Sequence, residues 1–583
     1  MGDELDHGPH SCEGLTLYNA WMNTTRRNPT MHIRTVLSAL VLCLAGHLSA
    51  TAIADVTVDP ARLSQHVKTL SSDAFEGRGP ATPGEQKTVA YIVDQMKAAG
   101  LQPGGDLKEG KRAWTQDVPL AQFNISGPVE MSATAKGQRR PLAQGKDIAI
   151  RAAATNIDRV QFSDAQVVFL GYGVTAPERG WDDYQGVDMR GRLGIVLVND
   201  PDFETESGEF GGRAMTYYGR WTYKYEEGAR HGALGILIVH ETKPASYGWA
   251  TVENSNTNTI FDILRTNPRD EHVDVEAWIQ RDVAVELFKQ AGLDFEALKK
   301  QAQSKSFRAV PLKGVTMSAN YKVAHETVVS KNVAGLLPGT KRPNETVVYT
   351  AHWDHLGIGK PDATGDRIFN GAVDNATGVA AVLELARLFS AAPKPERSVL
   401  FLAVTAEEKG LLGSEYYATH PLYPLETTVA DINMDSLGTR GATRDFGTQG
   451  ANTLVDEFVA AARKQQRTLA PDPRPEAGSF YRSDHFPFSK AGVPAVSFSS
   501  GEDLVNGGKE KGRALREEFT AKKYHQPKDE WSESLDFSGT ANDVALIYDV
   551  GHSLANSGKW PEWKAGSEFK ALRDKSGSKR PAP

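Results

Sequence analysis

The sequence predicts an α/β fold, in which a mixed, mostly parallel sheet is sandwiched by helices and a β-rich module is inserted. Three observations support this prediction. From about residue 332 to 556, apolar runs of strand length alternate with amphipathic helical segments, as in sheets covered by helices on both faces. Residues 59–105 place apolar side chains at helical spacing. Between these two regions, residues 160–310 contain the strand-like runs AQVVFLGYGV, GRLGIVLVND and ALGILIVHE. Before them, from about residue 113 to 154, the pattern is interpreted as short strands with polar turns.

The composition is that of a globular protein. The chain has 583 residues, of which 40% are hydrophobic and 24% are charged. This length suggests more than one domain, since a domain usually holds about 100–200 residues. The formal net charge of -7 is mildly acidic, whereas nucleic-acid binding calls for a basic patch or stripe. We therefore expect no nucleic-acid partner.

The first 54 residues are interpreted as an upstream extension followed by a secretory signal peptide. After Met31 come a basic residue, the apolar run TVLSALVLCLAG and an A-x-A site that ends at Ala54, an order typical of signal peptides. Cleavage before Asp55 would remove Cys12 and Cys43, the two cysteines of the chain, so we expect no disulfides and no cysteine-based zinc site. The apolar run is too short to span a bilayer. The sequence therefore predicts a periplasmic or secreted protein without a stable membrane span after cleavage.

Polar side chains follow successive predicted strands in the second half of the chain. The run ETVVYTAHWDHLG is interpreted as a buried strand that ends at His352, and NGAVDNATGVAAVLELARLF places Asp374 in the turn before a helix. The runs SVLFLAVTAEEKG and VADINMDSLG repeat this shape and carry Glu407, Glu408 and Asp435. Open α/β sheets place their active sites beyond the carboxyl ends of the strands. We therefore expect these side chains to converge.

The converging side chains have the chemistry of a metal site. Histidine and carboxylate ligands suit zinc and harder divalent ions, and the loop KKYHQPKDE adds one more histidine. Five ligands are too many for one open zinc site but suit two metals about 3.5–4 Å apart, with one bridging carboxylate, for which we choose Asp374. Glu407 can then face the bound water as a general base, and Asp354 can accept the other ring N–H of His352. The candidate ligands are His352, Asp374, Glu408, Asp435 and His525.

Six motifs, in this order, resemble the M28 family of dizinc aminopeptidases: AHWDH, AVDNATG, TAEEKGLLGS, NMDSLG, RSDHFPF and YHQPKDE. The resemblance covers roughly residues 59–125 and 325–556. It implies the dizinc exopeptidase fold and two zinc ions per chain. Carried over position by position, the resemblance assigns His352 and Glu408 to one zinc, Asp435 and His525 to the other, and Asp374 to both.

The same resemblance implies an enzyme that removes N-terminal residues from peptides. Glu407 would take a proton from the attacking water and pass it to the leaving amine, and Asp354 would orient His352. One zinc would polarise the scissile carbonyl and the other would hold the free α-amine of the substrate, which distinguishes an aminopeptidase from an endopeptidase. The expected substrate-side residues are Ser483, Asp484, Tyr481 and Phe486, together with Phe480.

The inserted module, with GYGV, WDDY and GARHGALGILIVHE, resembles a protease-associated (PA) domain. It brings no catalytic residues, so we expect it to affect substrate choice or access more than the chemistry. The predicted segments are 1–54 (extension and signal peptide), 55–159 (N-terminal part of the peptidase domain), 160–310 (PA insert), 325–560 (catalytic dizinc domain) and 565–583 (disordered tail).

Several alternatives stay open. Dipeptidases and carboxypeptidases share these ligands, and glutaminyl cyclases have the same fold but use one zinc and keep fewer of the ligands. A serine hydrolase is disfavoured because the closest approach to a G-x-S-x-G elbow is GHSLA, in a predicted helix, and no HEXXH helix occurs. A non-catalytic binding protein would be favoured by loss of a ligand, and none of the five is missing. The remaining histidines are interpreted as structural, with His355 and His485 as the exceptions to check.

Overall fold

A computed structural model describes residues 57–580, so the predicted extension and signal peptide lie outside the described residues. No helix within residues 57–580 combines the length and the apolar character that crossing a membrane requires. The helices are α1 (Pro60–Leu70), α2 (Pro83–Ala98), α3 (Trp221–Arg230), α4 (Thr242–Ala245), α5 (Trp249–Asn256), α6 (Arg281–Gln290), α7 (Phe295–Gln301), α8 (Thr377–Ala391), α9 (Leu412–Thr419), α10 (Leu454–Ala462), α11 (His485–Lys490), α12 (Gly508–Lys522), α13 (Ser538–Ala555) and α14 (Lys570–Ser576).

Most strands join one large sheet. The strands are β1 (Gln102–Pro103), β2 (Leu107–Lys108), β3 (Lys111–Arg112), β4 (Thr115–Ala135), β5 (Gln138–Pro141), β6 (Ile148–Ile150), β7 (Arg159–Phe169), β8 (Thr175–Ala176), β9 (Trp181–Asp182), β10 (Leu193–Leu197), β11 (Gly235–His240), β12 (Ile260–Ile263), β13 (Val275–Gln280), β14 (Val310–Leu337), β15 (Arg342–His352), β16 (Gly357–Ile358), β17 (Ile368–Phe369), β18 (Arg397–Val404), β19 (Thr428–Met434), β20 (Asp445–Gln449), β21 (Thr468–Leu469) and β22 (Ala495–Ser500).

The sheet is mixed and mostly parallel along its main path, as the sequence predicts. Its strand order is β21-β20-β22-β19-β15-β18-β14-β7-β10-β11-β13-β6. The strands β18, β15, β19 and β22 pair in parallel, and so do β7, β10, β11 and β13. Between these two blocks, the long strand β14 pairs antiparallel with both β18 and β7. The predicted mixed, mostly parallel sheet of an α/β fold is therefore confirmed.

Helices cover both faces of the sheet in the second half of the chain. The sequence of strand β15 is a nearly continuous apolar run because both faces of the strand are buried. Val347 and Tyr349 belong to the same core as α8 and α13, whereas Val348 belongs to a second core with Tyr417 of α9 and Phe488 of α11. Helices therefore pack against both faces of the parallel strands whose ends carry the predicted site.

The predicted insert contributes to a hydrophobic core separate from the one around α8 and α13. This core contains Val167, Ile195 and Leu237 from its parallel strands, and it also takes in Phe123 of β4 and Tyr321 of β14. The core therefore extends beyond the predicted boundaries of 160 and 310. The identity of the module as a PA domain stays a prediction.

Strand β4 differs from the prediction of short strands and polar turns between residues 113 and 154. It runs for 21 residues and pairs antiparallel with the 28-residue strand β14. The dipeptide Gly127–Pro128 is a typical turn signal, but here the chain continues straight on. Gly127 has φ 82°, and the register with β14 shifts beside it, between Asn320 and Lys322. A β-bulge thus absorbs what the sequence pattern indicates as a turn.

The prediction of a disordered tail at 565–583 is wrong for residues 565–580. Helix α14 (Lys570–Ser576) lies there. Its Arg573 is 1% exposed and donates hydrogen bonds to the backbone oxygens of Thr428 and Val429, at 3.0 and 3.2 Å. Phe569 packs against Trp563, with ring centroids 5.0 Å apart. Two anchoring side chains one turn apart are enough to order a segment whose composition is polar and glycine-rich.

Candidate metal centre

The carboxyl ends of three neighbouring parallel strands carry the predicted site. Strand β15 ends at His352, β18 ends three residues before Glu407, and β19 ends directly before Asp435. Because β15 lies between β18 and β19, these three side chains meet at one edge of the sheet. Ala406 (φ 53°) and Ser436 (φ 56°) turn the chain sharply beside them. Left-handed backbone at non-glycine residues is strained and is found disproportionately at functional sites.

His352, Asp374 and Asp435 form a first ligand group. The Nε2 atom of His352 lies 3.4 Å from Oδ1 of Asp374 and 3.5 Å from Oδ1 of Asp435. His352 is 1% exposed, and its Nε2 has no hydrogen-bond partner among the residues that the structure describes. Buried polar atoms normally have a partner. A buried ring nitrogen that faces two carboxylates without one fits a zinc ion.

His525, Asp374 and Glu408 form a second ligand group. The Nε2 atom of His525 lies 3.3 Å from Oδ2 of Asp374 and 3.0 Å from Oε2 of Glu408. Asp374 thus presents one carboxylate oxygen to each group, which is the geometry that a bridging ligand needs. Burial alone would raise the pKa of Asp374, but the two neighbouring histidines hold it well below its ordinary value.

This pairing corrects the one that the family resemblance implies. The resemblance places His352 with Glu408 and Asp435 with His525. In the structure, His352 instead lies beside Asp435, and His525 lies beside Glu408. The pairing depends on the side from which the His525 loop reaches the edge of the sheet, and local sequence patterns carry no information about that.

Glu407 lies at the first ligand group and faces open space. Its Oε2 atom is 3.8 Å from Nε2 of His352, and its side chain is 10% exposed, compared with 2% for Glu408. Burial raises the pKa of Glu407 well above its ordinary value, and the negative charges of Glu408 and Asp435 raise it further. A carboxylate with a raised pKa can accept a proton and later return it.

Asp354 supports the site in a different way from the one predicted. Its carboxylate is 3.8 Å from Nδ1 of His352, and the atom that lies within hydrogen-bond distance of that nitrogen, at 3.1 Å, is the backbone oxygen of Asp354. The carboxylate oxygen Oδ1 instead accepts the backbone N–H of Glu407 at 3.1 Å. Burial raises the pKa of Asp354 to about 7. Asp354 therefore joins the end of β15 to the turn that carries Glu407.

Comparison with known proteins decides the family. The model for peptidase family M28 matches residues 332–548. Aminopeptidase YwaD of Bacillus subtilis is 30% identical over 451 residues, which cover 75% of this chain and 76% of YwaD. The chain belongs to peptidase family M28. The predicted family is thereby confirmed.

Two further relatives of this M28 peptidase differ in how much of it they match. A probable zinc metalloprotease of Leptosphaeria maculans is 31% identical over 201 residues, which cover 29% of this chain and 46% of that protein. Among solved structures, the aminopeptidase from Aneurinibacillus sp. strain AM-1 superposes with a TM-score of 0.52 at 19% identity, covering 86% of this chain and 95% of that one. At that identity the superposition shows a shared fold.

Two of the predicted substrate-side residues of the M28 peptidase line an open cavity. Tyr481 and Phe486 line a cavity that also reaches Glu407 and His525. Both rings pack against Tyr217 of the inserted module, with ring centroids 5.9 and 5.7 Å away. These aromatic side chains therefore connect the predicted insert to the cavity beside Glu407 and His525.

The other two predicted substrate-side residues have different positions. Ser483 lines a second cavity, which also reaches Glu407 and Asp435, and its hydroxyl donates to Oδ2 of Asp435 at 2.6 Å, so it orients a candidate ligand. Asp484 is fully buried and accepts a hydrogen bond from the Ser414 hydroxyl at 2.6 Å. Burial raises the pKa of Asp484 to about 7. The structure does not place Asp484 where a substrate could contact it.

Two residues that the sequence analysis did not assign to the site belong to its surroundings. His355, one of the two histidines that the sequence marked as exceptions to check, has its Nδ1 atom 2.6 Å from Oε1 of Glu408. Asp529 accepts the backbone N–H groups of Val373 and Asp374, each at 3.0 Å, and so holds the turn of the bridging carboxylate. His355 lies in the motif AHWDH and Asp529 lies in YHQPKDE. The motifs therefore indicated that these residues are near the site, but not which atoms they contact.

Arg78 fastens the N-terminal segment of the M28 peptidase to the loops of the metal centre. It is fully buried, and its guanidinium group donates to four backbone oxygens at 2.6–2.9 Å. One of these oxygens belongs to the residue after His352, and another belongs to a residue three positions before Asp374. The four acceptors are the oxygens of Leu70, Trp353, Asn370 and Gly371.

We expect Arg78→Met to lower the free energy of unfolding by at least about 3 kcal/mol, because each buried acceptor left without a donor costs about 1–3 kcal/mol. Urea unfolding monitored by tryptophan fluorescence measures the change. The matched control is Arg190→Met, since the Arg190 side chain is 81% exposed and its replacement should leave the unfolding midpoint where it is. Equal midpoints for both variants would show that Arg78 does not anchor these loops.

Proposed function

We propose that this M28 chain is a zinc-dependent aminopeptidase that binds two zinc ions. The observation that carries the proposal is the position of Asp374, whose two carboxylate oxygens face His352 and His525 at 3.4 and 3.3 Å. Nitrogen and oxygen donors of this kind suit zinc. The resemblance to Aminopeptidase YwaD supports the class of reaction.

The side chains around the two ligand groups would have different roles in catalysis. Zinc, when bound, would polarise the scissile carbonyl and lower the pKa of a water molecule. Glu407 faces the open space beside both groups, so it would accept the proton of the attacking water and donate it to the leaving amine. Ser483 holds Asp435, and Asp529 holds the Asp374 turn, so the ligands keep their geometry while the proton moves.

The proposed substrates are peptides with a free N-terminus. A panel of aminoacyl-amides, unblocked peptides and N-acetylated peptides, assayed with and without a chelator, tests this point together with the metal requirement. We expect hydrolysis of the unblocked substrates only, loss of the activity with chelator and recovery with added zinc. Release of C-terminal residues from N-acetylated peptides would identify a carboxypeptidase, cleavage limited to dipeptides a dipeptidase, and cyclisation of N-terminal glutamine a glutaminyl cyclase.

We also infer that the chain works in the periplasm or outside the cell. The support is the predicted signal peptide with its cleavage site before Asp55. N-terminal sequencing of the protein purified from its own organism should begin at Asp55. A mature protein that begins at Met1 or Met31 would contradict this inference.

A further inference from the structure

Helix α5 lies within the predicted insert, yet it contacts the loop that carries His525. The Asn254 amide donates to the backbone oxygen of His525 at 2.9 Å, and the Thr251 hydroxyl donates to the backbone oxygen of Tyr524 at 3.4 Å. The hydroxyl oxygen of Ser255 lies 2.7 Å from Nδ1 of His525. These contacts join segments that are about 270 residues apart in the chain.

We propose that Ser255 is a positioning residue for the second ligand group, so that the insert supplies part of the metal centre. The inference rests on the proposed function, since it requires zinc at His525. A neutral imidazole has one N–H and one lone pair. When Nδ1–H donates to the Ser255 oxygen, the lone pair is on Nε2, which is the atom that faces Glu408 at 3.0 Å and Asp374 at 3.3 Å. The hydrogen bond therefore holds the direction of the ring, and in this tautomer Nε2 is available to a metal ion.

The backbone of His525 needs support of this kind. His525 has φ 55°, in the left-handed region that non-glycine residues seldom adopt, and it lies in a loop. The Asn254 amide holds its backbone oxygen, and the Tyr524 ring stacks on its imidazole at a centroid distance of 3.9 Å. Helix α5 thus holds the main chain and the side chain of the same strained residue.

The insert supports the second ligand group from another side as well. The buried Lys409, which follows Glu408, donates from Nζ to the side-chain oxygen of Asn258 at 2.8 Å. The first ligand group is supported from the catalytic half, by Ser483 on Asp435 and the backbone oxygen of Asp354 on His352. The insert is therefore expected to affect one zinc and not the other, which goes beyond the role in substrate access expected from the sequence.

Zinc titration of the full chain tests this inference. In equilibrium dialysis against buffered zinc, we expect Ser255→Ala to bind one of its two zinc ions about 10–100-fold more weakly than wild type, with the other unchanged. Ser255→Thr keeps the hydroxyl and should restore the affinity. The matched control is Thr257→Ala, because the Thr257 hydroxyl donates to Glu253 of the same helix at 2.9 Å and should have no effect on zinc.

A double variant identifies the affected ion. In a His525→Ala background, Ser255→Ala should cause no further loss of zinc, and an additive loss would overturn the inference. Wild-type affinity for both ions in Ser255→Ala would also overturn the inference, and so would fewer than two zinc sites in the wild type.

Thermal melting of the zinc-free proteins checks that the variants fold. Ser255→Cys, a weaker acceptor of similar size, provides a second variant. Zinc binding without peptide hydrolysis would overturn the proposed function alone, because the zinc comparison does not depend on turnover.

Discussion

Replacing Glu407 with glutamine is expected to abolish peptide hydrolysis while both zinc ions stay bound. The amide has nearly the same shape as the carboxylate, but it cannot accept a proton from the attacking water. Loss of a general base of this kind lowers the rate by at least about 10²-fold. Zinc should be retained because Glu407 lies outside the ligand pairs that His352 forms with Asp435 and His525 forms with Glu408.

The measurement is kcat for an aminoacyl-amide together with the zinc content of the same preparation. Glu415→Gln is the matched control, since Glu415 lines the same cavity as Glu407, contacts no candidate ligand and interacts with Arg265 at 3.7 Å. It should keep nearly the wild-type rate. Full activity in Glu407→Gln would remove Glu407 from the role of the base.

Replacing Asp374 with alanine is expected to release both zinc ions and to reduce activity to the level of the chelated enzyme. Asp374 is the one candidate ligand in the described part of the chain whose two oxygens face the histidines of both groups. Asp435→Ala and Glu408→Ala each remove a ligand from a single group and should each release one ion. Elemental analysis of the three purified variants measures the difference.

The wild type is the reference for this series and should contain two zinc ions per chain. One ion per chain with peptidase activity intact would contradict the bridging role of Asp374. Release of both ions from Asp435→Ala, at the same level as from Asp374→Ala, would also contradict it, because the two groups would then depend on each other through some route other than the shared carboxylate.

Local patterns in the sequence predict much of the fold. The spacing of apolar residues indicates helices in residues 59–105, and α1 and α2 lie there. The buried run that ends at His352 corresponds to β15. These elements were predictable because burial on one stripe or on two faces leaves a direct trace in the order of apolar residues.

The errors have a common physical cause. In β4, the dipeptide Gly127–Pro128 carries a turn signal, but pairing with β14 along almost its whole length keeps the chain extended. In the tail, Phe569 and Arg573 anchor a polar segment. In each case a distant part of the chain supplies the contact that overrides the local preference, and no window of the sequence contains both partners.

By itself, the sequence determined the family and the set of candidate ligands, because strand ends and ligand chemistry are local properties that motifs preserve. Only the tertiary structure decided which ligands share a group: His352 lies with Asp435, and His525 lies with Glu408. It also brought Ser255 of the insert to His525. The physical reason is that the meeting of two side chains depends on strand order and on the side from which each loop crosses the sheet edge, and these follow from the packing of the whole chain.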